Sequence, residues 1–195
     1  MDDLGVGRLL VASLHQSIAE ELPFRLDFYE AWLHPMGLRD GRIGLAPLAA
    51  VLSFLRQEGD DPYQRVAARA GAYSAEWLVD SLSPFRQRVV LCMPARLRVW
   101  LVLRLARRLV RQTYGGTRAT IRDVRRERGV LDLRGSVFCQ VRTPVDSPLC
   151  RFYAAAVDVL CRRFNLSMTA EAVECRAIGA TRCLIVCAVH DRTDV

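Results

Sequence analysis

Cysteine is the residue whose number and placement in this chain could do chemistry. There are seven, Cys92, Cys139, Cys150, Cys161, Cys175, Cys183 and Cys187, and six of them lie after residue 138. Four converging thiolates hold a zinc ion tetrahedrally. Thiols packed in a core behave instead as small hydrophobes. The number is odd, and the acidic start Met1-Asp2-Asp3 does not read as an export signal. A disulfide framework is therefore disfavoured, and the cysteines predict a reducing, cytoplasmic setting.

Two runs near the end, 168–176 and 183–189, read as strands joined by a turn centred on Gly179. A hairpin symmetric about that glycine sets Cys175 opposite Cys183, where paired side chains share a face about 5 Å apart. Further along that face the same symmetry sets Cys187 opposite Glu171. The run opening at Ser147-Pro148 reads as a helix to about residue 164. Its stripe of Cys150, Ala154, Val157 and Cys161 has helical spacing. Packed on the hairpin, such a helix brings Cys150 or Cys161 towards Cys175 and Cys183. Three thiols and one further donor could hold zinc; plain core thiols and a local disulfide also fit this spacing.

The elements that position these residues follow from periodicity. Helical patterns run over 9–21, 26–33, 47–56, 63–82 and 94–114. Asp61-Pro62 reads as a cap followed by proline at the first helical position. Gly71 inside its helix marks close packing against a neighbour. Ser83-Pro84 reads as a stop, and Arg39-Asp40-Gly41 as a polar turn. The period then shortens, and 117–125 and 130–142 read as strands. The order is helices, strand, strand, helix, strand, strand. It predicts an α+β fold with helices packed on a mostly antiparallel four-stranded sheet, in a single domain over 1–195. Within it, 1–45 holds the N-terminal helices and 117–190 the sheet and the cysteine-rich part.

Composition excludes several classes. The 195 residues are 51% hydrophobic, enough for a substantial core. No apolar run approaches the roughly 20 residues of a transmembrane helix. The net charge is +7, and all 28 basic residues are arginine. On the helix over 94–114, Arg104, Arg107, Arg108 and Arg111 share a sector of about 100° with Trp100. Val99, Val102, Leu103, Ala106 and Val110 form the opposite, core-facing side. The stripe could meet anionic lipid or nucleic acid, although a solvated face covering apolar surface is the commoner meaning and nucleic acid is disfavoured. There is no glycine-rich phosphate loop and no nucleophile elbow. His15, His34 and His190 lack catalytic partners by spacing, so catalysis by the chain's own side chains is disfavoured.

Two segments resemble the 4-vinyl-reductase domain family, which is related to the TRAPP subunits. One is Ser147-Pro148-Leu149-Cys150-Arg151-Phe152-Tyr153, similar to the start of a family helix. The other runs from Glu174-Cys175 through Gly179 to Cys183-Leu184-Ile185-Val186, similar to the family's closing hairpin. Together they cover about the last 50 residues. The resemblance implies a structural zinc held by Cys150, Cys175, Cys183 and a glutamate. The family's glutamate position is Ala172 here. Glu171, on the Cys175 face by alternation, is the expected fourth ligand; Cys139 or Cys187 could substitute. The resemblance further implies a non-catalytic module that holds an aromatic or tetrapyrrole-like molecule in an apolar pocket, as sensor or carrier. Phe28, Trp32, Tyr73 and Trp77 are the candidate lining. The alternatives it implies are a TRAPP-like homodimeric assembly subunit pairing through its N-terminal helices, and an accessory factor in bacteriochlorophyll vinyl reduction. A partner protein would pass on any signal.

Overall fold

Among the described residues, six of seven α-helices and all four strands form where the hydrophobic periods place them, with several informative shifts of boundary. The structure, a computed structural model, describes residues 6–33, 44–141 and 145–189. The turn at 39–41, His34 and His190 lie outside the described residues.

Helices α1 (Arg8–Glu21) and α2 (Leu26–Leu33) are joined through a short 3-10 turn, Pro23–Arg25. Helix α3 (Leu45–Gln57) starts two residues before the expected 47–56. Helix α4 (Asp60–Asp80) starts at Asp60, and its N-cap is Gly59 at φ 115° with no side-chain cap. Asp61 is therefore inside the helix. Pro62 fits beside it because the first-turn N–H groups have no helical partner to lose. A helix absent from the sequence reading follows, α5 (Pro84–Leu91): the Ser83 hydroxyl accepts the Arg86 N–H at 3.4 Å and Pro84 opens the first turn. Ser83-Pro84 thus ends one helix and starts another. The long amphipathic helix is α6 (Ala95–Thr113), and it buries Val99, Val102, Leu103, Ala106 and Val110 as its pattern predicts.

Strands β1 (Arg118–Arg122), β2 (Arg128–Arg134), β3 (Thr169–Glu174) and β4 (Cys183–Ala188) form one sheet in the order β1-β2-β4-β3, with all three pairings antiparallel. Helix α7 (Arg151–Arg163) carries the chain from β2 across to β3 at the far edge. Helices α6 and α7 cover one face of the sheet, and α4 packs against α7 behind them, with α1 beside α4. At Gly71 the backbone of α4 meets that of α7: a Cβ there would collide with the carbonyl oxygen of Phe152. The sequence reading of Gly71 as a close-packing residue holds.

Two departures in the sheet bear on the site. Strand β2 stops at Arg134 instead of running to 142, because Gly135 turns left-handed at φ 71°. A Cβ on Gly135 would lie 2.7 Å from the Gly116 carbonyl oxygen, so only glycine fits the turn. The chain then forms a 3-10 turn, Val137–Cys139. In the hairpin, Glu174 pairs with Leu184 but Ala172 pairs with Ile185, so a bulge inserts one extra residue between them. One extra residue moves everything beyond it to the other face. Ala170, not Glu171, therefore lies opposite Cys187, and Glu171 opposes Val186.

Candidate metal centre

Four element ends each deliver a thiol to one point. Cys139 closes the 3-10 turn after β2. Cys150 is the N-cap residue of α7, and its carbonyl accepts the N–H of Tyr153 at 3.0 Å and of Ala154 at 3.3 Å. Cys175 follows β3 and caps the 3-10 turn Arg176–Ile178, which ends on Gly179 at φ 91°. Cys183 begins β4. The Sγ atom of Cys139 lies 3.0 Å from that of Cys150, 3.3 Å from that of Cys175 and 3.5 Å from that of Cys183. Cys150 and Cys175 are 3.7 Å apart, and all four sulfurs lie within 4.8 Å of one another.

These separations test the fit of a metal. A disulfide needs about 2.05 Å between sulfurs, so none of the contacts is a bond; all seven cysteines are free. Zinc–sulfur bonds of about 2.3 Å in a tetrahedron put sulfurs roughly 3.8 Å apart. The observed cluster is slightly tighter than that and has the same connectivity, each thiol facing the others. Four soft donors and no oxygen ligand suit zinc and not magnesium or calcium. Four cysteines also leave no open coordination position, so the centre fits a structural ion.

The surroundings favour the thiolate at Cys175 and Cys183 and oppose it at Cys139 and Cys150. The backbone N–H of Arg176 donates to the Cys183 sulfur at 3.3 Å. Hydrogen bonding with Cys139, Cys150 and Cys183, then with the Ala177 backbone, holds the Cys175 thiol well below its ordinary range. Cys139 and Cys150 likewise hold Cys183 down. The Cys150 thiol is pushed up, first by its contacts with Cys139, Cys175 and Cys183 and then by burial. A divalent cation removes that conflict by ligating all four as thiolates. Cys150, Cys175 and Cys183 are fully buried and Cys139 is half-buried. Phe138 stacks on Phe152 with ring centroids 4.9 Å apart, and Tyr153 meets both edge-on, which makes a dry flank. The loop before α7 is pinned from α4: the Tyr63 hydroxyl donates to the Leu149 carbonyl at 3.0 Å, and Gln64 to Pro148 at 3.2 Å.

The structure thus brings together Cys150, Cys175 and Cys183, as the sequence reading expected, and makes Cys139 the fourth member. Glu171 is not in the group: the bulge turns it to the exposed outer face. Cys187 is not there either. It sits at the other end of β4, where it interacts with Cys161 of α7. The signal for Cys139 was Gly135-Ser136 inside an apparent strand, a turn-former where a ladder residue belongs.

The candidate aromatic residues fall into two sets. Phe28 and Trp32 are 44% and 40% exposed and pack against Phe54 of α3. Tyr73 and Trp77 stack on one another along α4, 5.6 Å between centroids. No ring contact joins the two sets among the described residues. An open cleft of about 520 Å³ lies between α4, α7 and β3, lined by charged residues including Arg65, Arg151, Asp158 and Glu171. Among the described residues no helix is long and apolar enough to cross a membrane. His15 pairs with Glu30 at 2.7 Å and ties α1 to α2. No protein-family model matches the chain, and no curated protein sequence matches it.

Proposed function

We propose that this chain is a non-catalytic binding module of the vinyl-reductase and TRAPP-subunit-like type, stapled by zinc at Cys139, Cys150, Cys175 and Cys183, which holds a hydrophobic small molecule as sensor or carrier. The observation that carries the reading is the convergence of four thiols from four element ends. A closed four-sulfur centre supplies stability and no reactive water, which agrees with a binding role. The order of helices and strands supports the fold assignment, and the half-exposed aromatic residues Phe28, Trp32 and Trp77 offer contacts to an apolar molecule.

Native mass spectrometry of the purified chain tests the metal and the ligand together. One zinc per chain is expected, with an added mass on titration with a porphyrin or a phenol. A metal-free chain whose native thiols all react with an alkylating reagent overturns the zinc centre. Silence towards both ligand classes overturns the small-molecule role.

A second reading has its own observation. Phe24 is fully exposed, and Phe28 and Trp32 lie on the helix that follows it. Such aromatic exposure fits a contact between two copies through the N-terminal helices. Light scattering that reports a strict monomer at micromolar concentration removes this reading.

A further inference from the structure

The charge of the chain is segregated. Residues 81–122 contain ten arginines and no aspartate or glutamate, whereas the rest of the chain sets eighteen arginines against twenty-one acidic residues. The whole net positive charge therefore resides in α5, α6 and β1. Across α4 and α7, four arginines are matched: Arg65 with Glu21, Arg69 with Glu20, Arg162 with Asp158 and Arg163 with Asp80. Among the described residues, Arg86, Arg88, Arg96, Arg104, Arg108 and Arg111 form no ion pair.

The same zone exposes large apolar side chains. Phe85 is 75% exposed, Leu97 49%, and Trp100 and Val89 39% each. Helix α5 has no buried residue at all and contacts α6, to which a short link joins it. Only Val90 of α5 packs on the core; helical geometry then directs Phe85, Arg88 and Val89 outward. On α6 the side away from the core begins with Leu97 and Trp100 and continues with Arg104, Arg108 and Arg111 at spacings of three and four. The Arg104 guanidinium sits 4.5 Å from the Trp100 ring centroid. Arg96, Leu97, Trp100 and Val124 line an apolar hollow of about 290 Å³.

We infer that this α5–α6 face is a docking surface for a bilayer containing anionic lipid, with Phe85, Leu97 and Trp100 seated at the level of the headgroups and the arginines on lipid phosphates. Two features select lipid. The unpaired cations complement an anionic plane. Bulky apolar residues lie among those cations, which an interfacial helix requires and which phosphate contacts along a nucleic-acid duplex do not use. No helix need cross the membrane, and among the described residues none is long and apolar enough to do so. The inference is independent of the thiol centre.

Vesicle flotation of the full chain tests it. Vesicles of phosphatidylcholine alone are compared with vesicles of equal parts phosphatidylcholine and phosphatidylglycerol. Flotation is expected only with the anionic vesicles, falling as salt is raised, with a blue shift of tryptophan emission that disappears in Trp100→Phe. The double variant Arg104→Gln, Arg108→Gln is expected to bind roughly fivefold more weakly for each charge removed. The double variant Phe85→Ser, Leu97→Ser is expected to lose at least tenfold, because both side chains are exposed and the fold does not need them; an unchanged melting curve checks this. Equal binding to both vesicle types, or none to either, overturns the inference. So does a duplex oligonucleotide that binds the chain and the Phe85→Ser, Leu97→Ser variant alike and displaces it from vesicles.

Discussion

Helix α7 and strand β4 meet twice through cysteines, and the two meetings differ in kind. At one end Cys150 faces Cys183; about 16 Å further along the helix, Cys161 faces Cys187. Both pairs are buried and join the same two elements. The first pair gains Cys139 from the turn after β2 and Cys175 from the bulged strand, together with backbone N–H groups aimed at sulfur. The second pair gains only the carbonyl of Gly129, which accepts from Cys187 at 3.4 Å. Its Cys161 thiol is pushed up, first by Cys187 and then by burial. A pair of thiols in a dry core is packing. Four thiols with N–H donors at the chain's turns could hold a metal ion. The difference lies in what loops bring, since the helix and strand are common to both.

The largest effect should come from breaking the four-thiol end. Cys175→Ser is expected to abolish zinc binding and to lower stability by more than about 5 kcal/mol, because metal binding is coupled to folding. Metal analysis and thermal unfolding read this; a melting curve unchanged by the substitution would sink the structural role. Next come the glycines that set helix spacing at each end. Gly71→Ala, which collides with the Phe152 backbone two residues after Cys150, should cost about 3 kcal/mol. Gly129→Ala meets only the side chains of Leu103, Val99 and Cys187, at 2.7 to 3.1 Å. It should cost about 1 kcal/mol and leave zinc bound. Equal losses from the two glycines in denaturant titrations would contradict the assigned packing.

Cys161→Ala should cost about 1 kcal/mol with a full zinc content, the mild counterpart of Cys175→Ser. Zinc lost with Cys161 would show that the two ends are one site. The smallest effect lies away from both. The Tyr73 hydroxyl, then Arg69 and Gln16, hold the exposed Glu20 carboxyl down to about 2. A lowered carboxylate contributes stability present above its ordinary value of 4.5 and lost as pH falls towards 2. Tyr73→Phe should flatten the acid limb of the stability curve in that window, measured on chain already stripped of metal. An unchanged acid limb would remove Tyr73 from the account.

Much of this was legible before any coordinates. The helical runs, the hairpin at Gly179 and the close approach at Gly71 rest on local rules, and the structure keeps them. Two errors misplaced the fourth member of the cluster. Reading 130–142 as a continuous strand hid the left-handed turn at Gly135, and so left Cys139 as a mere substitute. Assuming a regular hairpin put Glu171 on the thiol face, whereas the bulge beyond Ala172 turns it outward. Helix α5 was missed because it buries nothing, and burial is what makes a helix periodic in sequence.

By itself the sequence determined the secondary-structure order, the antiparallel hairpin and the supply of thiols near the C-terminal end, because periodicity and turn chemistry are local. It also determined the charge segregation, which is simple counting. Tertiary structure alone decided which four thiols meet, that Cys161 and Cys187 stay apart from them, and that Arg104, Arg108 and Arg111 of α6 form no ion pair. Those outcomes depend on a one-residue bulge, one glycine's dihedral angle and the packing of helices far apart in sequence, none of which leaves a periodic trace.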